Sequence, residues 1–271
     1  MNLDLKNKNA LICGSTAGIG QATAKKLAEE GVSVTLVARN EEKLENTLKQ
    51  LACEGEQKHD YIVADFSKPG ELREKVDEIT ARKNYHLLLN NTGGPPGGMI
   101  TDASTDEFEK AFQMHLICNQ IIVKALLPGM KKNSFGRIVN IISTSVKQPL
   151  AGLGVSNSIR GAVANWSKTL ATEIGEFGIT VNNVLPGATE TGRLDNIIAN
   201  KAKKGKISEE QAAINMKSAI PAKRFGKPEE LADAISFLMS ERAGYINGIN
   251  LPVDGGRTKS LRFFKSEIAK G

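Results

Sequence analysis

Residues 9–20 read NALICGSTAGIG: a short apolar run followed by a turn with glycines at positions 14, 18 and 20. The apolar run has the length of a buried strand. The helical pattern that opens in the turn continues through QATAKKLAEE to Gly31, a typical helix stop. Glycines spaced this way let a tight turn bring backbone N–H groups and a helix N-terminus onto a pyrophosphate, which the helix dipole and the unpaired donors both favour. A tight strand-to-helix turn also needs glycine for steric reasons alone. The placement of the triplet between a strand and a helix is what points to a dinucleotide.

Working outward, VSVTLVA (32–38) is a second strand ending at Ala38, and Arg39 follows it. A carboxylate at this strand end would bind a ribose 2′-hydroxyl and repel a 2′-phosphate, whereas an arginine does the reverse, so Arg39 points to NADP(H), its alternative being a solvated surface residue. HDYIVADF (59–66) is a third strand, and its Asp65 either accepts from the adenine amino group or caps the next helix. HLLLNN (86–91) is a fourth strand, leading into a loop too rich in glycine and proline for regular structure. Further strands at 136–143, 178–186 and 248–256 alternate with apolar helical patterns near 105–131 and 155–177. This alternation predicts an α/β fold, a doubly wound parallel seven-stranded sheet forming one domain over 1–271, with ligand at the carboxyl ends of its strands.

With 271 residues, 40% of them hydrophobic, the chain can bury one sizeable core. The opening MNLDLKNKNA has no apolar signal segment, and charges such as Lys124 break the longer apolar runs, so a cytoplasmic protein without a membrane span is expected. Cys13, Cys53 and Cys118 lie far apart with no CxxC spacing, which suggests neither a disulfide framework nor a metal site. The net charge of +6 concentrates in residues 201–206 and in the tail from Arg257. The tail reads as solvated surface. The lysine cluster is either solvated or an attractor for a phosphate-bearing thioester. No nucleic-acid motif accompanies either stretch.

These motifs, taken together and in order, resemble the short-chain dehydrogenase/reductase family over nearly the whole chain, and within it the β-ketoacyl carrier-protein reductases. The turn with Gly14, Thr16, Gly18, Ile19 and Gly20 is similar to the family's cofactor turn, and residues 90–93 (NNTG) to its NNAG motif. Pro186-Gly187, RFGKPEELADAISFL and VDGG also match family segments. The resemblance implies that Asp65 and Asn91 face adenosine, that Phe66 and Gly93 also bind the cofactor, and that Pro186, Gly187 and Thr191 face the nicotinamide. It further implies a mobile substrate lid over 192–221 and a homotetramer, or at least a homodimer, built on the helices near 105–131 and 155–177. Of the family's Asn-Ser-Tyr-Lys set only Ser143 is retained: His115 stands at the asparagine position, Ser156 at the tyrosine and Arg160 at the lysine. No tyrosine lies between Tyr85 and Tyr245 to restore the pattern by a shifted alignment.

Reducing a ketone leaves an alkoxide that must be protonated, a task suited to a phenol of lowered pKa. A serine hydroxyl does not titrate in the accessible range, so Ser156 orients or relays. Arg160, one helical turn later, can hold ribose hydroxyls and stabilise an oxyanion but releases no proton at neutral pH. Its alternative is an ion pair with a nearby carboxylate. His115 has the ordinary pKa of a proton donor, unless it is core packing, and Lys147 is a second source unless solvated. The sequence thus supports an NADP(H)-dependent reductase of a small carbonyl or acyl-thioester substrate with a rearranged proton relay, or a nucleotide-binding protein without turnover.

Overall fold

The computed structural model describes residues 2–259, so the basic tail lies outside the described residues from position 260. Seven strands form one parallel sheet: β1 (Asn9–Cys13), β2 (Ser33–Ala38), β3 (Asp60–Val63), β4 (Leu87–Asn90), β5 (Gly136–Ile141), β6 (Ile179–Pro186) and β7 (Asn250–Val253). Their spatial order is β3-β2-β1-β4-β5-β6-β7, so the chain reverses direction of travel between β1 and β4. Every expected strand is present.

Alternation along the strands builds two cores. Ala10 and Ile12 of β1, Val34 and Leu36 of β2, and Leu87 and Leu89 of β4 point to one face. There they meet Leu27 of α1 (Gly18–Glu29), Leu44 of α2 (Glu41–Leu48), and Leu231 and Ile235 of α9 (Pro228–Met239). The intervening Leu11, Cys13, Val37 and Leu88 point to the other face. That face is covered by α3 (Pro69–Arg82), α5 (Cys118–Lys132) and α6 (Gly154–Ile174). Strands buried on both sides read as continuous apolar runs, which made them legible.

The helix expected over 105–131 is two helices. α4 (Thr105–Phe112) starts at a capping box in which Ser104 and Glu107 satisfy each other's backbone N–H groups. It leads into a π turn, Gln113–Ile117, before α5 begins. At its end the N–H of Cys118 bonds the carbonyl of Gln113, five residues back. Such turns concentrate at functional sites, and this one carries His115. Residues 192–221 hold α7 (Gly192–Gly205) and α8 (Glu209–Ser218), which share a small core of Leu194, Ile220 and Phe225. The lysines of 201–206 are exposed on the last turn of α7, where the helix dipole favours cations. Among the described residues no helix is long and apolar enough to cross a membrane.

A polar feature crosses the apolar sheet. Asn90, Asn140, Asn183 and Asn250 are register partners on β4 through β7. Each side-chain amide donates to the next: Asn90 to Asn140 at 2.8 Å, Asn140 to Asn183 at 2.9 Å and Asn183 to Asn250 at 2.8 Å. Asn140 is fully buried and also donates to Ser167 Oγ of α6 at 3.3 Å. Replacing Asn140 with leucine strands the amide groups on either side. Each buried group left unpaired costs about 1–3 kcal/mol, so Asn140→Leu should lower unfolding stability by at least that amount in urea titration, despite adding apolar volume. An unchanged midpoint would show that the row contributes nothing.

Candidate active site at the carboxyl edge of the sheet

The glycine turn lies where the strand order reverses, the position at which open α/β sheets bind ligands. Gly14 and Gly18 have φ of +59° and +53°, a region that strains any side chain. Their neighbours also need the space. A Cβ on Gly14 would lie 2.7 Å from the Asn91 carbonyl oxygen, one on Gly18 would lie 2.9 Å from Thr191 Cγ2, and one on Gly20 would strike the Gly14 carbonyl. Asn91 locks the arrangement by donating from Nδ2 to the carbonyls of Cys13 and Gly14, both at 3.3 Å. The turn is anchored to β2 by Ser15, which is fully buried: its Oγ accepts from the Val37 N–H at 3.0 Å. Ala17 precedes α1 and makes no side-chain cap, which leaves the first-turn N–H groups of Gly18, Ile19 and Gly20 for an anion.

The adenosine end is consistent with this. Arg39, just past β2, is exposed, and its charge helps hold the Asp65 carboxyl below the usual range, after the larger effect of the hydrogen bond from Ser67 N–H at 2.9 Å. Asp65 does not cap the following helix, because the N-cap residue of α3 is Lys68. On the other side, Gly187 follows β6 and its N–H bonds the Val253 carbonyl at 2.9 Å; a Cβ there would lie 2.6 Å from Asp254 Cα. Glycine turn, Asn91 and Thr191 therefore enclose one cleft whose backbone donors and glycine-lined floor fit a dinucleotide.

Across the cleft stand the residues singled out for chemistry. Ser143 follows β5, and its Oγ accepts from the Ser145 N–H at 3.1 Å, so its own proton is left to donate elsewhere. Ser156 and Arg160 lie one turn apart on α6, 6% and 8% exposed. Arg160 Nη1 donates to the Ile141 carbonyl at 2.9 Å, and no carboxylate among the described residues pairs with it. Burial, then repulsion from Arg193, pushes its pKa down to about 10, so it stays a cation at neutral pH. The ion-pair alternative for Arg160 is thereby removed. Lys147 is exposed.

Of the two roles expected for His115, core packing fits its setting better than proton donation. It is 1% exposed on the π turn, which packs against α6, and its Nδ1 has no hydrogen-bond partner. Burial, then the positive charges of Arg160 and Arg193, pushes its pKa down to about 2. The imidazole is neutral throughout the working range and does not donate as an imidazolium. Sequence reading also passed over Arg193, in the first turn of α7, whose guanidinium lies against Gly94. Its signal was a lone cation two residues after Thr191. Ser15 was missed too, although a hydroxyl inside the strand-to-turn junction has few other roles.

The chain is similar to known proteins over nearly its whole length. A family model described as enoyl-(acyl carrier protein) reductase matches residues 14–258. An NADPH-dependent reductase of Bacillus subtilis is 29% identical over 261 residues, covering 95% of this chain and 100% of that one. The structure of L-sorbose reductase from Gluconobacter frateurii, complexed with NADPH and L-sorbose, superposes with a TM-score of 0.90 at 30% identity, covering 96% of this chain and 100% of that one. Actinorhodin polyketide ketoreductase with NADPH gives 0.87 at 30% identity, covering 93% and 98%.

The neutral histidine has a measurable cost at acid pH. Its folded pKa is depressed from 6.5 to about 2, so below pH 6.5 the unfolded chain binds a proton that the folded one does not. Stability from this group is complete above pH 6.5 and is lost as pH falls. The loss should reach on the order of 3 kcal/mol by about pH 4. His115→Asn should flatten the decline in unfolding free energy between about pH 7 and 4. Equal slopes in the two proteins would place the histidine in a solvated setting.

Proposed function

Because the chain belongs to the short-chain dehydrogenase/reductase family, we propose that it is an NADP(H)-dependent oxidoreductase that reduces the carbonyl group of a 3-oxoacyl thioester-like substrate with an altered catalytic set. Ser143, Ser156, Arg160 and His115 stand in place of the family's Ser, Tyr, Lys and Asn. The observation that carries this reading is the buried Arg160, without a carboxylate partner among the described residues, one turn after Ser156, together with a Ser143 hydroxyl whose proton is left to donate.

NADP(H) is held by Gly14, Thr16, Gly18, Ile19 and Gly20 at its pyrophosphate, by Arg39 at the 2′-phosphate, by Asp65, Phe66, Asn91 and Gly93 at adenosine, and by Pro186, Gly187 and Thr191 at the nicotinamide. When bound, it supplies the hydride. Ser143 donates its proton as a hydrogen bond to the substrate carbonyl, a role its contact with the Ser145 N–H leaves open. Arg160 spreads its donors over the ribose hydroxyls and the developing oxyanion. Ser156 and neutral His115 orient water, which delivers the proton. Residues 192–221 close over the substrate as a lid. The chain assembles in the cytoplasm as a homotetramer or homodimer through α4, α5 and α6, a reading supported by Phe112 at the end of α4 and Ile117 on the π turn, 40% and 36% exposed.

A second reading, an NADP(H)-binding protein without turnover that senses cofactor or stabilises a partner, is favoured by one observation: His115, the expected donor, is neutral, and Arg160 holds its proton.

One measurement tests the cofactor that both readings share, and a second separates them. NADPH should bind more tightly than NADH, and Arg39→Ala should weaken NADPH alone by tens of fold, since a charge-assisted phosphate contact is worth about 1.5–3 kcal/mol. NADPH oxidation across a panel of 3-oxoacyl thioesters should then find a substrate, and Ser143→Ala should lower kcat about 100- to 1000-fold with NADPH affinity unchanged. Tight NADPH binding with no oxidation across the panel would establish the second reading.

A further inference from the structure

We propose that the substrate enters as an anion: a carboxylate-bearing oxo acid whose carboxylate is held between the guanidinium groups of Arg160 and Arg193. This replaces the thioester of the reading above with a free carboxylate and rests on that reading only for the carbonyl that is reduced.

Arg160 and Arg193 lie near enough to repel each other and both act on His115, and among the described residues no carboxylate pairs with either. Arg160 is 8% exposed and has a single hydrogen bond, to a neutral carbonyl. Arg193 reaches from the first turn of α7 to the loop after β4, where its Nη2 lies 2.7 Å from the position a Cβ on Gly94 would take. Only the absence of a side chain at Gly94 admits it. No hydrogen-bond acceptor or carboxylate among the described residues engages the Arg193 guanidinium. The third member of the cluster, His115, is kept neutral by burial and by both arginines, and its Nδ1 is buried without a partner. Burying a cation without a counter-charge is costly. A planar carboxylate matches guanidinium donors in bidentate fashion. The same ligand would neutralise the repulsion between the arginines. Because Arg193 stands on the lid segment and Arg160 on the fixed helix α6, an anion bridging them would also draw the lid onto the cleft.

The test titrates NADP⁺-loaded protein, which cannot reduce a ketone, with acetoacetate and with its methyl ester, by calorimetry. The acid should bind about ten- to a hundredfold more tightly than the ester, the range expected for a charge-assisted contact. Arg193→Leu removes a charge from an exposed side chain without touching the core. It should abolish the acid's advantage while NADP⁺ affinity holds, and Arg193→Lys should recover part of it. Equal binding of acid and ester in the unmutated protein would overturn the proposal. So would a loss of NADP⁺ affinity in Arg193→Leu, which would assign that guanidinium to the cofactor's phosphates. The two readings fail separately. Selective binding of the acid with no oxidation of NADPH keeps the anion site and removes the reductase. Oxidation of NADPH that runs as well with the ester as with the acid keeps the reductase and removes the anion site.

Discussion

Four asparagines hydrogen-bonded in a row across β4, β5, β6 and β7 set the geometry on which the cleft depends. In a sheet of apolar runs, a strand displaced by two residues would still bury apolar side chains. An amide displaced by two residues would lose both partners in a dry interior. The row therefore specifies one register where hydrophobic burial alone leaves several. It lies just before the strand ends that form the candidate site: Asn91 follows Asn90, and Ile141, whose carbonyl holds Arg160, follows Asn140. An error of register would separate these groups along the edge of the sheet.

Above that row the cleft divides into halves with different physics. The cofactor half is built from backbone, with glycines, helix N–H groups and carbonyls whose positions are fixed by the fold itself. The other half is built from side chains in a positive field. Burial, and then the charges of Arg160 and Arg193, keep His115 neutral, and burial with repulsion from Arg193 lowers the pKa of Arg160. Backbone sites tolerate much sequence change outside their glycines. A mutually repelling cluster does not, because each member's charge state depends on its neighbours.

That division explains what was legible in the sequence. The seven strands and the glycine turn follow from period and spacing, both local properties. The π turn was hidden because its residues carry the same apolar pattern as the helices on either side, and one additional residue in a turn leaves no mark in that pattern. The charge state of His115 was misread because an ordinary pKa belongs to an exposed side chain, whereas this one depends on burial and on two arginines far along the chain. Arg193 went unnoticed because its significance lies in meeting Gly94, about a hundred residues earlier. The asparagine row was equally silent, since its members are spread from position 90 to position 250.

The π turn makes the phase of one helix relative to the next depend on a single residue. A bond spanning five residues encloses one more than an ordinary turn, and each residue in a helix rotates the chain by about 100°. α4 is thus out of step with α5, and His115 occupies the point where the phase slips. Loss of one residue between Gln113 and Ile117 would restore a continuous helix. The rotation would turn α4 and its neighbours away from α6 while leaving every apolar residue of α5 in place. The hydrophobic core would be preserved and the cleft dismantled, so a relative shorter by one residue at this point would share the fold without sharing the site.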